Sequence, residues 1–220
     1  MLAAILYDLD GTIVNTDPLH YQAWQQLLRD YGKEIDEEFY LTHMSGRLNP
    51  DIVREVLPEL SPEAVIKFSD RKEARFRELA PELTPLPGLL NVIRLANARG
   101  LKQAVVTNAP RQNADYMLKV LNLQAAFDQV VVSEEIGIPK PDPAPYQHIL
   151  NYFGITPEQA LAFEDSPSGI RAAVGAGIPT VGIASTQEPG DLYALGAMLV
   201  IPDFTDSQLW ALLGSPNSSN

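Results

Sequence analysis

The sequence predicts an α/β protein with a doubly wound, mostly parallel sheet and an inserted all-helical domain. Three observations carry this. From residue 88 onward, short apolar runs alternate with stretches of helical period, the pattern of strands joined by crossover helices. The chain opens on one more such run, in ILYDLDG at residues 5–11. Between residues 18 and 80 there is no strand signal, only helical repeats.

Residues 2–9 read as a fully buried strand, a continuous apolar run ended by Asp10-Gly11. The period then changes. Leu19, Ala23, Trp24, Leu27, Leu28 and Tyr31 recur at helical spacing, with Asp17-Pro18 as cap and first turn. Further helices are expected at 37–43, at 50–57 after Asn49-Pro50, and at 62–79 after Ser61-Pro62. The Pro-rich APELTPLPG (80–88) is an extended return connector. Beyond it, strands are expected at 103–107, 129–132, 161–165, 179–183 and 198–201. Helices are expected at 88–99, 111–121, 143–153, 167–176 and 206–213, with a short helical turn near 190–195. The division that follows is a core of 1–16 and 82–214, a helical insertion of 17–81, and a disordered tail of 215–220.

A chain of 220 residues holds one medium domain, or a domain with a sizeable insertion. Hydrophobic residues at 45% and charged ones at 20% are ordinary for a globular protein. The net charge of -12 has the wrong sign for a phosphate backbone or an anionic membrane surface, so neither is an expected partner. There is no cysteine, which excludes disulfides, thiolate catalysis and cysteine-held metals. No basic segment precedes the first apolar run and no run reaches the ~20 residues of a membrane span. A cytoplasmic location is the expectation, and the oligomeric state is left open.

In an open α/β sheet, ligands bind beyond the carboxyl ends of the strands. The first strand delivers Asp8 there, then Asp10-Gly11-Thr12. The second ends in Thr107-Asn108, the third leads to Lys140, and the fourth ends in Glu164-Asp165. Four acids cannot gather without compensation, because like charges at short range cost several kcal/mol or force protonation. A divalent cation resolves this, and one or two carboxylates, water and a substrate phosphate describe a Mg²⁺ site. Lys140 adds positive charge, while Thr107, Asn108 and the amides of the 9–12 turn can donate to phosphoryl oxygens.

The order Asp-x-Asp-Gly-Thr, Thr, Lys, Glu-Asp resembles the haloacid dehalogenase superfamily, with its Rossmann-like core, across nearly the whole chain. A helical insertion after the first strand is similar to the cap of its β-phosphoglucomutase and phosphoglycolate phosphatase branch. The resemblance implies that Asp8 is a nucleophile forming a phosphoaspartate and that Asp10 is the general acid and base. It implies Mg²⁺ held by Asp8, the Asp10 carbonyl and Asp165, with Glu164 supporting through water. Thr107 and Lys140 would bind the transferring group. Asp10 argues for phosphoryl transfer, because the family's dehalogenases lack the second acid.

Each residue also has a plainer account. Asp10-Gly11 suits a turn, Lys140 a solvated loop and Thr107 a strand end, and Asp165 could cap the next helix. Small residues in GIRAAVGAG (169–177) suit close helix–sheet packing. In the insertion, His20 and Trp24 share a helical face, where packing competes with the cap function that the resemblance implies. Arg47 suits a phosphate or carboxylate. Lys72 matches a cap lysine of the mutase, and Arg75 reads as a solvated face.

Water or a sugar hydroxyl could accept the phosphoryl group from Asp8. The mutase cap loop reads Lys-Gly-x-x-Arg, whereas Ser45-Gly46-Arg47-Leu48-Asn49 departs from it, and Thr107-Asn108 resembles the phosphatases. The expectation is a Mg²⁺-dependent phosphatase of a small phosphorylated metabolite, ahead of a β-phosphoglucomutase. A non-catalytic binding protein on the same fold is the reading from another class.

Overall fold

The structure is a computed structural model that describes residues 1–214; the tail expected at 215–220 lies outside the described residues. It divides into two compact units, one of Met1–Asn15 with the chain from Thr84 onward, the other of Thr16–Leu83.

The larger unit begins with β1 (Ala4–Tyr7). After the helical unit it resumes with α5 (Leu89–Ala98), β2 (Lys102–Thr107), α6 (Arg111–Val120), β3 (Gln129–Val132) and α7 (Ser133–Ile136). It continues with α8 (Ala144–Phe153), β4 (Ala160–Glu164), α9 (Pro167–Gly175), β5 (Thr180–Ile183), α10 (Pro189–Ala194), β6 (Leu199–Ile201) and α11 (Ser207–Leu212). The strands form one parallel sheet in the order β3-β2-β1-β4-β5-β6. This is the doubly wound α/β architecture expected. The central position of β1 explains its composition, since both of its faces are covered and all four of its residues are fully buried. On one face Leu6 joins Ala104, Val106, Tyr146, Ile149 and Ala162 in a continuous core. Tyr7 stacks on Phe163 with ring centroids 5.6 Å apart, and its hydroxyl donates to Gln103 Oε1 at 2.9 Å.

The smaller unit contains α1 (Asp17–Arg29), α2 (Glu37–His43), α3 (Asn49–Val56) and α4 (Pro62–Leu79). Trp24, Leu28, Tyr40, Ile52, Val53, Leu57 and Phe68 close its core. The residue that caps α1 is Thr16, not Asp17. The Asp17 carboxylate instead accepts from the hydroxyls of Tyr40 and Ser45, tying α1 to α2 and the loop after it. Tyr31, counted on the apolar stripe of α1, lies past the helix end and is exposed. No helix among the described residues is long and apolar enough to cross a membrane.

Two short pieces depart from expectation, namely α7 and a 3₁₀ turn at Pro157–Gln159. Segments of three or four residues are too short to display a period.

Candidate active site

The parallel register brings the exits of β1 and β4 side by side, pairing Tyr7 with Phe163. The Asp8 amide continues the ladder by donating to the Phe163 carbonyl at 3.0 Å. Asp8 and Glu164–Asp165 therefore leave the sheet together, and all three are buried.

Lys140 joins them. Its Nζ donates to Asp8 Oδ1 and to Glu164 Oε1, each at 2.6 Å. Asn108 holds its backbone from both sides, with Lys140 N donating to Asn108 Oδ1 at 3.0 Å and Asn108 Nδ2 donating to Lys140 O at 3.1 Å. The Asn108 amide, expected to face a phosphoryl group, thus anchors the lysine loop. Thr107 is buried, and its Oγ1 accepts from the Ala109 amide at 2.9 Å, which leaves its proton able to donate.

The turn after Asp8 is shaped around Asp165. Gly11 has φ +78°, and a Cβ there would lie 2.0 Å from Asp165 Oδ2, so glycine is required on both counts. Thr12 and Thr186 each donate a long 3.3 Å hydrogen bond to the Asp165 carboxylate. Ser185 donates to the Gly11 carbonyl at 2.7 Å. The helix cap beyond Asp165 is Ser166, whose side chain accepts from the Gly169 amide; Asp165 is left to the cluster. Gly169 makes room for Glu164 and not for sheet packing, since a Cβ there would sit 1.7 Å from Glu164 Oε2.

The electrostatics are those of a compressed anionic site. Burial raises the Asp8 carboxyl to about 8 against the opposing pull of Lys140, and Glu164 and Asp10 add to the rise. Burial works to lower Lys140, but Asp8 and Glu164 outweigh it and hold the lysine above its usual range. One lysine does not balance Asp8, Glu164 and Asp165. Ligand atoms of these three lie within 4.8 Å of one another, and Glu164 Oε2 is buried with no hydrogen-bond partner among the described residues. An all-oxygen cluster with an unsatisfied acceptor fits a hard divalent cation such as Mg²⁺.

The family model described as haloacid dehalogenase-like hydrolase matches residues 5–183. The chain belongs to that family. Among relatives of this haloacid dehalogenase-like hydrolase, the phosphorylated carbohydrates phosphatase of Thermotoga maritima is 30% identical over 211 residues, covering 91% of this chain and 94% of its own. Fructose-1-phosphate phosphatase YqaB of Escherichia coli is 31% identical over 185 residues, covering 82% and 96%. A crystal structure of CbbY from Rhodobacter sphaeroides with xylulose-1,5-bisphosphate superposes with a TM-score of 0.82 at 26% identity, covering 94% and 96%. The chain is an enzyme of the phosphoric monoester hydrolase class.

In the helical unit of this hydrolase, three of the four singled-out residues come together. Lys72 Nζ lies 2.7 Å from His20 Nδ1 and 5.6 Å from the Trp24 ring centre. Lys72 also donates to Glu73 Oε1 at 2.9 Å, and Asn49 donates to the same oxygen. Arg47 is exposed and paired instead with Glu55 and the His43 carbonyl. Arg75 is half-buried, bonded to Gln26 as well as Glu78.

Sequence reasoning missed Tyr146, Gly169, Glu73 and the Ser185–Thr186 pair. Ser185 and Thr186 follow β5, so one more strand exit in the same argument reaches them. Nothing local marks the others.

Proposed function

We propose that the protein is a Mg²⁺-dependent phosphatase that hydrolyses a small phosphorylated metabolite, a sugar phosphate or phosphoglycolate-like ester, through an aspartyl-phosphate on Asp8. The observation that carries this is the Lys140 ammonium bridging Asp8 and Glu164 beside Asp165. Asp8, the Asp10 carbonyl and Asp165 would hold Mg²⁺, with Glu164 acting through water. The cation would supply the positive charge that lets a carboxylate approach a phosphate.

Lys140 lowers the same repulsion from the protein side, and Thr107 with the amides of the 9–12 turn other than Gly11, whose N–H is taken by the Val14 carbonyl at 2.8 Å, donates to the phosphoryl oxygens. Asp8 attacks phosphorus, the ester oxygen leaves, and Asp10 gives it a proton. Asp10 then takes a proton from the water that attacks the phosphoaspartate, releasing phosphate and restoring Asp8. The relatives named for phosphorylated carbohydrates and fructose 1-phosphate support a carbohydrate ester. The helical unit is assigned the role of cap and substrate selector, with His20 and Lys72 as its recognition residues and Trp24 packed in the core behind Lys72.

Turnover of p-nitrophenyl phosphate tests the reading. It is expected to require Mg²⁺ and to fall at least ~10³-fold in Asp8→Asn, as loss of a covalent nucleophile does. A panel of sugar phosphates and phosphorylated acids is expected to release inorganic phosphate. Isomerisation of β-glucose 1-phosphate with little free phosphate would establish the mutase instead.

A further inference from the structure

We infer that Tyr146 is a positioning residue that fixes the Glu164 carboxylate, so that Oε2 is held open toward the hydration shell of the bound cation. The inference rests on reading Asp8, Glu164 and Asp165 as a cation cradle. It assigns a part to a side chain three residues into α8, outside every strand exit.

Glu164 is fully buried at the end of β4. Its Oε1 accepts two hydrogen bonds of 2.6 Å, one from Lys140 Nζ and one from the Tyr146 hydroxyl. Its Oε2 accepts none among the described residues. The carboxylate is thus used asymmetrically, with one oxygen saturated and the other kept open in the space that Gly169 leaves. Lys140 alone cannot impose this orientation, because its ammonium is shared with Asp8. The phenol is the donor given to Glu164 alone, fully buried and immobilised by its ring in the core. That ring also lies against Lys140, with Nζ 5.4 Å from its centre, a placement that favours the charged lysine. One side chain therefore orients the acid and steadies the base beside it. Outer partners of this kind tune metal affinity, and Tyr146 has no part among the groups assigned to the substrate.

Tyr146→Phe keeps the ring and removes only the donor. Titration calorimetry of the metal-free full-length protein with MgCl₂ is expected to show a Kd about 10-fold weaker in the variant. The KM for p-nitrophenyl phosphate at saturating Mg²⁺ is expected to change less than about 2-fold. In a Glu164→Gln background the same substitution is expected to have no further effect on Mg²⁺ affinity, because Tyr146 acts through Glu164. A Mg²⁺ Kd unchanged in Tyr146→Phe, an equal loss in the Glu164→Gln background, or a wild-type protein that binds no Mg²⁺ would each overturn the inference. Weakened Mg²⁺ binding in a protein that hydrolyses no ester would leave this role standing and overturn the phosphatase reading. An active wild type with unchanged Mg²⁺ affinity in the variant would do the reverse.

Discussion

Gly169 shows how much a single missing side chain can decide. It lies in the first turn of α9, where alanine would ordinarily strengthen a helix by about 0.5–1 kcal/mol. Here an added Cβ meets the Glu164 carboxylate at 1.7–2.4 Å, and that carboxylate is held by Lys140 and Tyr146. Displacing a buried, paired charge costs about 3–5 kcal/mol, so the clash outweighs the propensity. Gly169→Ala is expected to lose roughly 2–4 kcal/mol in urea unfolding; a variant more stable than wild type would contradict this. The contrast with Asp8, Asp10, Lys140 and Asp165 shows what the sequence discloses at this scale. Asp8, Asp10 and Asp165 stand at strand exits and Lys140 in the loop that follows β3 and α7, so the topology of an open parallel sheet carries all four to the same edge. Tyr146 and Gly169 are ordinary helix residues whose partners lie 18 and 5 positions away in sequence from them, and no spacing rule reaches such contacts.

Among the elements, α4 carries a second buried ionic group whose energetics can be read by pH. Burial alone would raise the Glu73 carboxyl, but Lys72, His20 and the hydrogen bonds from Asn49 and Lys72 overcome it and hold it at about 2, from an ordinary 4.5. The fold therefore keeps Glu73 charged where an unfolded chain would protonate it. Its contribution is full above about pH 4.5, falls as the pH drops, and is gone below about pH 2. A shift of this size corresponds to roughly 3 kcal/mol. Glu73→Gln is expected to be less stable than wild type by up to that amount at pH 6, with the gap closing toward pH 2. Unfolding curves followed by circular dichroism at pH 6, 4 and 2.5 measure it, and a pH-independent gap would refute the assignment. Elements of ten or more residues were legible from their period, and α4 and β3 match expectation end to end. The start of α1 was not, because Asp17 resembles a cap in sequence while its carboxylate is claimed by Tyr40 and Ser45 from α2 and beyond. Side-chain bonding across elements overrode the local signal.

At the scale of the whole molecule, the cation binding proposed for the Asp8–Glu164–Asp165 cluster would be linked to folding. A cation that binds the folded cluster and not the unfolded chain stabilises by about 2.7 kcal/mol at 100 times its Kd. Calorimetry is expected to show a higher unfolding temperature with Mg²⁺ than with EDTA, and the increment is expected to vanish in Asp165→Asn. An equal increment in that variant would place the cation elsewhere. The acids of that cluster were legible in the sequence at strand exits, whereas the compensating bridge of Lys140 across Asp8 and Glu164 needed coordinates. The strand order carries one further consequence, for synthesis. β1 is made first yet lies between β2 and β4, so its two neighbours emerge from the ribosome about 95 and 155 residues later. At 5–20 residues per second, both edges of this fully buried strand stay unzipped for roughly 5–20 s and one of them for roughly 8–30 s, a window in which the nascent chain is exposed to clumping.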